Sequence, residues 1–451
     1  MTDTTGTPGT TDTKRGNWGS RIGFILAAVG SAVGLGNIWK FPYITGVYGG
    51  GAFVLVYLGC ILIVGVPIMV AELIIGSKSR KNPVGAFRTL RSKKSPWQLT
   101  GWLGVAAGFI ILSFYSVVAG RSMAYIFKAI KGFTGSANEI QSQYTVFLGD
   151  SLLSIFWHTI FMALTMAIVI KGIQMGIERW SKILMPALVL ILLGLSFYGI
   201  FFTAGGVKAL SFLFKPNFSQ LSAEGVLSAM GHAFFTLSLG MGAMITYGSY
   251  LGKKINYTKT AATICLLDTV IALFAGIATF SLVFQYNVEP SVGPGLIFST
   301  LPVLFAQTGP IISVSFFLLL TFAALTSAIS LLEVVVSYFI DERGWSRTRS
   351  TLLLGGAIYL LGILAAIDNL KVPFRGKPQP FFDIFDFITT NYMLPVGGLL
   401  ICVFVGWVMK EKLPPGGSKT AVFFYRTLMF ILRYLTPIAV IIIILHGLEI
   451  I

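Results

Sequence analysis

Charge is scarce in this chain. Asp, Glu, Lys and Arg make up only 11% of its 451 residues, where an ordinary soluble protein has roughly 25%. Acids are the scarcer sign, with 17 Asp and Glu against 33 Lys and Arg, for a net charge of +16. A water-soluble fold of this length cannot cover its surface with so few charges. Histidine and cysteine are also rare, at three each. Cys60, Cys265 and Cys402 each sit in an apolar stretch, their number is odd, and no metal-ligand spacing joins them. A disulfide framework and a Cys/His metal site are thereby excluded. The basic residues fall in short clusters between apolar runs, with no continuous basic face, so nucleic acid is not expected as a partner. The longest polar connections, 78–97, 131–150, 203–223 and 287–307, leave no room for a soluble enzyme head or a nucleotide-binding module.

What is present is apolar. Hydrophobic residues make up 55% of the chain, Phe alone supplies 37, and the mean hydropathy is +0.82. A bilayer core about 30 Å thick needs about 20 apolar residues per helix. Apolar runs predict eleven spans, at 20–47, 51–77, 98–130, 151–170, 177–202, 224–250, 258–286, 308–340, 351–367, 382–409 and 427–447. The expected fold class is therefore an all-α polytopic membrane protein embedded in a lipid bilayer. Residues 1–19 form a polar N-terminal tail without a cleavable signal pattern. Basic residues concentrate in alternate loops, at least three in each, which places that tail in the cytoplasm and the C-terminus outside.

Two spans contain the wrong residues for a continuous helix. The first clusters Gly30, Gly34 and Gly36 around Ser31 and Asn37, and the sixth clusters Thr236, Ser238, Gly240 and Gly242. Small residues in membrane helices commonly let a neighbouring helix approach. Here they share the expected midplane with polar side chains that need partners. The two interrupted spans lie five apart, the pattern of an inverted-repeat transporter with spans 1–5 (20–202) and 6–10 (224–409) as its halves and 427–447 as an eleventh helix. An unwound segment offers amides to a carboxylate and carbonyls to Na⁺. The adjacent hydroxyls of Thr326 and Ser327 in span 8 either join such a site or bond back to their own helix.

At these residues the chain resembles the neurotransmitter:sodium symporter family along nearly its whole length. The motifs are Trp18 to Arg21, Ala32 to Pro42, Gly49 to Phe53, Phe234 to Gly240, and Ala323 to Ser327. The resemblance implies two sodium sites. One uses Ala32, Asn37, Thr236, Asp268 and the substrate carboxylate; the other uses Gly30, Val33, Ala323, Thr326 and Ser327. In the first, substrate and ion bind each other, which couples their movements. Asp268 stands where a bacterial member of the family carries Asn, and chloride-dependent members hold an anion nearby. Its charge is expected to replace chloride, the alternative being a protonated carboxyl held by polar neighbours. His232 is read as a hydrogen-bonded core residue rather than a proton relay.

Gly34 replaces the Asp of monoamine carriers, so the resemblance implies an α-amino acid whose carboxylate meets Leu35, Gly36 and Tyr115. Ser31, Ala32, Gly34, Phe235, Thr236 and Ser238 surround the rest of its backbone, and Ile111, Phe235, Ser238, Met241, Ser327 and Leu331 form the side-chain pocket. That set has no ionisable group, and a charged side chain would be desolvated without a partner. Hydrophobic L-amino acids, aliphatic to aromatic, are the expected substrates. The resemblance further implies an outer gate of Lys40 with Asp386 under a Tyr115–Phe235 lid. The implied inner gate is Arg15 with Asp341, beside Trp18 and Tyr250. Gly176 and Pro186 in span 5 are the expected hinge for water entry to the second sodium site. Lys40 replaces the usual Arg and loses its bidentate geometry. The expected function is sodium-coupled, chloride-independent import across a bacterial plasma membrane. The twelfth span that carries dimer contacts in some relatives has no counterpart among the eleven, which leaves the oligomeric state open, a monomer included. A channel would need a continuous polar stripe. An intramembrane enzyme would need a nucleophile–base constellation, and neither pattern is present.

Overall fold

The computed structural model describes residues 16–252, 255–288, 293–409 and 419–448. Among them, nine helices are long and apolar enough to cross a membrane: Gly51–Ser79, Gln98–Lys131, Ser151–Ile170, Ile173–Phe202, Tyr257–Gln285, Pro310–Arg343, Arg347–Ala366, Phe381–Val408 and Val422–Gly447. Each overlaps an expected span. A tenth apolar stretch is a bent pair, Arg21–Ala32 and Gly36–Val47, meeting at 50°. Where the sixth span is expected, two short helices, Ala223–Thr236 and Ala243–Ser249, are joined by a non-helical turn.

Local chemistry explains both breaks. The first helix starts at Ser20, whose hydroxyl accepts the Gly23 N–H, and stops where Val33 turns extended at ψ 113°. In the sixth, Ser238, Gly240 and Gly242 adopt φ of 53°, 80° and 76°. Three left-handed residues within five cannot continue a right-handed helix. At Gly240 the backbone passes so close to the Leu394 carbonyl that a Cβ would collide with it.

The broken segments lie at the centre of the molecule, with Ser31 and Asn37 fully buried and Thr236 nearly so. The third and eighth helices, Gln98–Lys131 and Pro310–Arg343, pack along each other, and the first packs on the eighth. This packing brings Tyr115, Ser327 and the first break together.

Several boundaries differ from the sequence reading. The fifth span begins at Ile173 rather than 177, through a wide π-helical turn, Ile173–Glu178. The eleventh begins earlier than 427. The polar connections contain short helices, Pro83–Leu90, Ala137–Gly149, Gly206–Phe214 and Thr300–Thr308. Their signals were available: Asn82 caps a Pro-initiated helix, and Ser136 with Glu139 forms a capping box. A small hairpin, Lys371–Phe374 with Lys377–Pro380, turns at Arg375 and Gly376, both at positive φ, as a two-residue hairpin turn demands.

Candidate functional site

The break in the first span leaves one corner of exposed backbone chemistry. The Leu35 amide donates to the Tyr115 hydroxyl at 3.1 Å, so the phenol's own proton is still available to another acceptor. A Cβ at Gly34 would stand 2.6 Å from both Ser327 Oγ and Tyr115 Oη. No side chain fits there, least of all a carboxylate. Around this corner lies a cavity of about 20 Å³ lined by Ala32, Gly34, Leu35, Gly36, Ile111, Tyr115, Phe235, Ser238, Met241, Ser327 and Leu331. These are the substrate residues read from the sequence, without Ser31 and Thr236, which sit just behind the wall. Ser31 hydrogen-bonds Ser330 at 2.8 Å, and its carbonyl accepts from Ser238 Oγ at 2.7 Å.

Above this cavity a larger one of about 140 Å³ reaches toward the surface, lined by Trp39, Lys40, Tyr43, Phe114, Val118, Phe382, Asp383 and Asp386 as well as Leu35, Tyr115 and Phe235. The last three line both cavities. They form the partition between them.

Asn37, Thr236 and Asp268 of the first expected oxygen cluster are brought together, as are Gly30, Val33 and Ser327 of the second. Asn37 donates to Asp268 Oδ1 at 2.8 Å and to its carbonyl at 3.2 Å, and accepts from Gly34 N at 3.0 Å. Thr236 donates to Asp268 Oδ2 at 3.2 Å. Asp268 is fully buried, and its partners among the described residues are neutral. A buried carboxylate without a cation is costly, so this donor set suits a small hard cation. In the second cluster Ser327 Oγ lies 3.3 Å from Gly30 O, 3.2 Å from Ser31 O and 3.1 Å from Val33 O. Thr326 Oγ1 lies 3.0 Å from Ala323 O. Its hydroxyl therefore does bond back to its own helix, the alternative left open by the sequence, while Ser327 reaches across to the break. Every donor is oxygen, the chemistry of alkali and alkaline-earth ions. No group of three or more His, Cys, Asp or Glu side chains converges among the described residues.

The outer gate differs from expectation. Lys40 and Asp386 both line the upper cavity but form no ion pair. Lys40 Nζ instead sits over the Phe235 ring, 4.8 Å from its centre, and Asp386 accepts from Thr390 at 3.0 Å. Lysine's single ammonium is held by the aromatic face it reaches first. At the opposite end of the site, Trp18 packs edge-on against Tyr247 and Tyr250, at 5.2 and 6.4 Å, and donates to the Tyr247 carbonyl at 3.0 Å. Asp341 accepts from Asn82 N at 2.9 Å. Arg15, its expected partner, lies outside the described residues. Gly176 falls within the π-helical turn Ile173–Glu178 and Pro186 within the helix Arg179–Phe202, and the two run on continuously.

His232 is buried between Phe41 and Tyr57, with ring centres 6.0 and 5.4 Å away. The hydrogen bond expected of it is absent among the described residues, where both ring nitrogens are unpartnered.

Sequence reasoning passed over three buried acids. Glu333 binds Arg347 twice, at 2.6 and 2.9 Å, and accepts from the Tyr250 hydroxyl at 2.6 Å. Glu178 accepts from Gly19 N at 2.6 Å, Ser20 Oγ at 2.8 Å and Lys182 at 2.6 Å. Glu72 accepts from Gly240 N at 2.8 Å, fastening the sixth-span turn. The rule that singled out Asp268, a charge inside an apolar span, applies equally to Glu72 and Glu333, while Glu178 stands beside Arg179 at the start of its span.

Comparison with known proteins follows the same lines. The Sodium:neurotransmitter symporter family profile matches residues 15–143 and 149–450. The chain is 38% identical to an uncharacterized sodium-dependent transporter, YhdH, of Bacillus subtilis (strain 168), over 95% of this chain and 97% of that one. It is 32% identical to an uncharacterized sodium-dependent transporter of Haemophilus influenzae (strain ATCC 51907 / DSM 11121 / KW20 / Rd), over 97% and 99%. Among solved structures it resembles the crystal structure of MhsT in complex with L-phenylalanine, with a TM-score of 0.86 and 43% identity, covering 96% of this chain and all of that one.

Proposed function

The chain belongs to the sodium:neurotransmitter symporter family, and from that membership we propose that it imports hydrophobic L-amino acids, aliphatic and aromatic, together with Na⁺, by alternating access. The observation that carries the substrate class is the corner at Gly34. It combines an amide, a phenol and no side chain, which suits an α-carboxylate, and the remaining walls are apolar. L-Phenylalanine bound to MhsT, 43% identical, supports the same reading.

Two Na⁺ ions take part in this proposal. The first is held by the Ala32 carbonyl, Asn37, Thr236, Asp268 and the substrate's own carboxylate. The second is held by the carbonyls of Gly30, Val33 and Ala323 with the hydroxyls of Thr326 and Ser327. Asp268 supplies the fixed negative charge that makes chloride dispensable. Its burial and its lack of a cationic partner among the described residues support that role. The helices divide into two five-span repeats, 20–202 and 224–409, with 427–447 outside them, in a bacterial plasma membrane with the N-terminus in the cytoplasm. Lys40 and Asp386 guard the outer cavity, Arg15 and Asp341 the inner face, and the Gly176–Pro186 stretch loosens to release the second ion.

The deciding experiment is uptake of labelled L-leucine and L-tryptophan into proteoliposomes under inward Na⁺ or K⁺ gradients, each with and without chloride. Accumulation driven by Na⁺ alone and indifferent to chloride is expected. In Asp268→Asn, uptake should become chloride-dependent or disappear. A chloride requirement in the unsubstituted protein would overturn the role of Asp268, and no sodium-driven uptake of either amino acid would overturn the substrate class.

A further inference from the structure

The sixth-span turn is gripped between two helices at glycines. On the tenth-span side, a Cβ at Gly397 would lie 2.5 Å from the Gly240 carbonyl oxygen. On the third-span side, a Cβ at Gly104 would lie 3.1 Å from Met241 C and 3.3 Å from both Gly242 N and Met241 O. The Met241–Gly242 peptide therefore crosses the third helix where that helix has no side chain. Gly108, a turn away, behaves differently: a Cβ there would meet Leu331 O at 3.6 Å and Val334 Cγ1 at 3.8 Å, ordinary contacts.

Gly104, Gly108 and Ile111 share one face of the third span, since residues three, four and seven apart stack on a helix. Ile111 lines the substrate cavity, and Gly104 backs the residue that forms its floor. That cavity measures about 20 Å³, room for about one water. Any amino acid must push a wall aside. Tyr115 is hydrogen-bonded to the first break, and Ile111 and Leu331 are branched side chains on continuous helices. Met241 is unbranched and adaptable, and it rides on a turn flanked by left-handed glycines. It is the wall with freedom to give.

We infer that Gly104 sets the upper size limit on the substrate side chain. The missing Cβ leaves a slot into which the Met241–Gly242 peptide withdraws when a bulky side chain presses on Met241. A methyl group at 104 fills that slot, while one at 108 does not. This inference rests on the proposed substrate class.

The test is sodium-driven uptake of L-tryptophan and L-leucine by the unsubstituted protein, Gly104→Ala and Gly108→Ala in proteoliposomes. Overpacking of this kind is expected to lower the tryptophan-to-leucine ratio about tenfold in Gly104→Ala. In Gly108→Ala the ratio should stay within about twofold of the starting value. Shortening the floor in Gly104→Ala/Met241→Ala should restore tryptophan. An unchanged ratio in Gly104→Ala, or an equal fall in Gly108→Ala, would overturn the slot. Should Gly104→Ala fail to fold, Met241→Leu reads the same limit from the other side. Its branched side chain should also cut tryptophan selectively, and an unmoved ratio counts against the inference. If the unsubstituted protein takes up neither amino acid, the substrate reading falls and this limit with it. Normal uptake with an unmoved ratio sinks only the role of Gly104.

Discussion

Above the broken spans the charged groups stand apart, and below them they are joined. Lys40 rests on an aromatic ring and Asp386 on a threonine, with a cavity of about 140 Å³ between the walls they belong to. On the opposite face Glu333 binds Arg347 through two hydrogen bonds and Tyr250 through a third, Arg88 pairs with Glu342 at 2.6 Å, and Trp18 stacks into Tyr247 and Tyr250. An open face and a sealed face thus differ less in residue type than in whether each polar group has found its partner. Glu333 is fully buried and its arginine largely so, so their bond forms away from water. Exposed pairs are worth about 0–1 kcal/mol each. The seal is made, and breaking it would strand a buried charge, while the mouth is free to close.

Breaking the seal should have the largest effect. Glu333→Gln leaves Arg347 buried without its counter-charge, at a cost of about 3–5 kcal/mol. The expected result is a lower melting temperature and faster alkylation of a cysteine placed at Ser249, which is buried beneath the seal. Unchanged labelling would mean that the barrier lies elsewhere. Trp18→Ala removes the ring contacts with Tyr247 and Tyr250 and one hydrogen bond, about 2 kcal/mol for a half-buried aromatic. It should raise labelling at the same position while leaving amino-acid binding from the outer side measurable by equilibrium scintillation.

Lys40→Arg sharpens the contrast from the other direction. A planar guanidinium can engage Asp386 with two donors, adding about 1 kcal/mol at a wet site. Substrate on-rates, followed by tryptophan fluorescence, should slow about fivefold; faster association would rule out an outer pair. The smallest effect is expected at Lys182, whose side chain is 43% exposed beside Glu178. Lys182→Ala removes a helical i,i+4 pair worth about 0.3–0.5 kcal/mol, and Glu178 keeps Gly19 and Ser20. A loss of uptake beyond about threefold would show that this lysine does more than a surface pair can.

Much of the centre is legible in the sequence. Gly34, Gly36, Gly240 and Gly242 marked both breaks, because a helix interior penalises glycine wherever the chain does not need its freedom. Met241, Ile111 and Leu331, which the resemblance puts in the side-chain pocket, line the cavity. Of the seal, the resemblance implies only Trp18 beside Tyr250; the bonds its buried acids make are not legible. Tyr250 and Glu333 are 83 residues apart, and Gly19 and Glu178 are 159 apart. Nothing local in the sequence records such meetings. Glu72 and Glu333 carry a local signal, a carboxylate in an apolar run, whereas Glu178 stands among the basic residues at the start of its span. The short helices of the loops failed for a different reason: their caps are visible at Asn82 and Ser136, yet hydropathy scanning weighs length over termini. Lys40 shows the reverse error. Its replacement of arginine is plain in the letters, but they do not reveal that the ammonium settles over the Phe235 ring.

One feature of the second oxygen cluster bears on inheritance. Gly30, Ser31 and Val33 contribute main-chain carbonyls, all within 3.3 Å of the Ser327 hydroxyl. A point mutation can replace a side chain, but it cannot delete a carbonyl. Under the proposed sites, lineages that exchange Ile111, Met241 or Leu331 alter which nutrient is carried while the main-chain oxygens offered to the second ion pass on untouched. Nutrient preference can drift freely across descendants that all keep the same energy source.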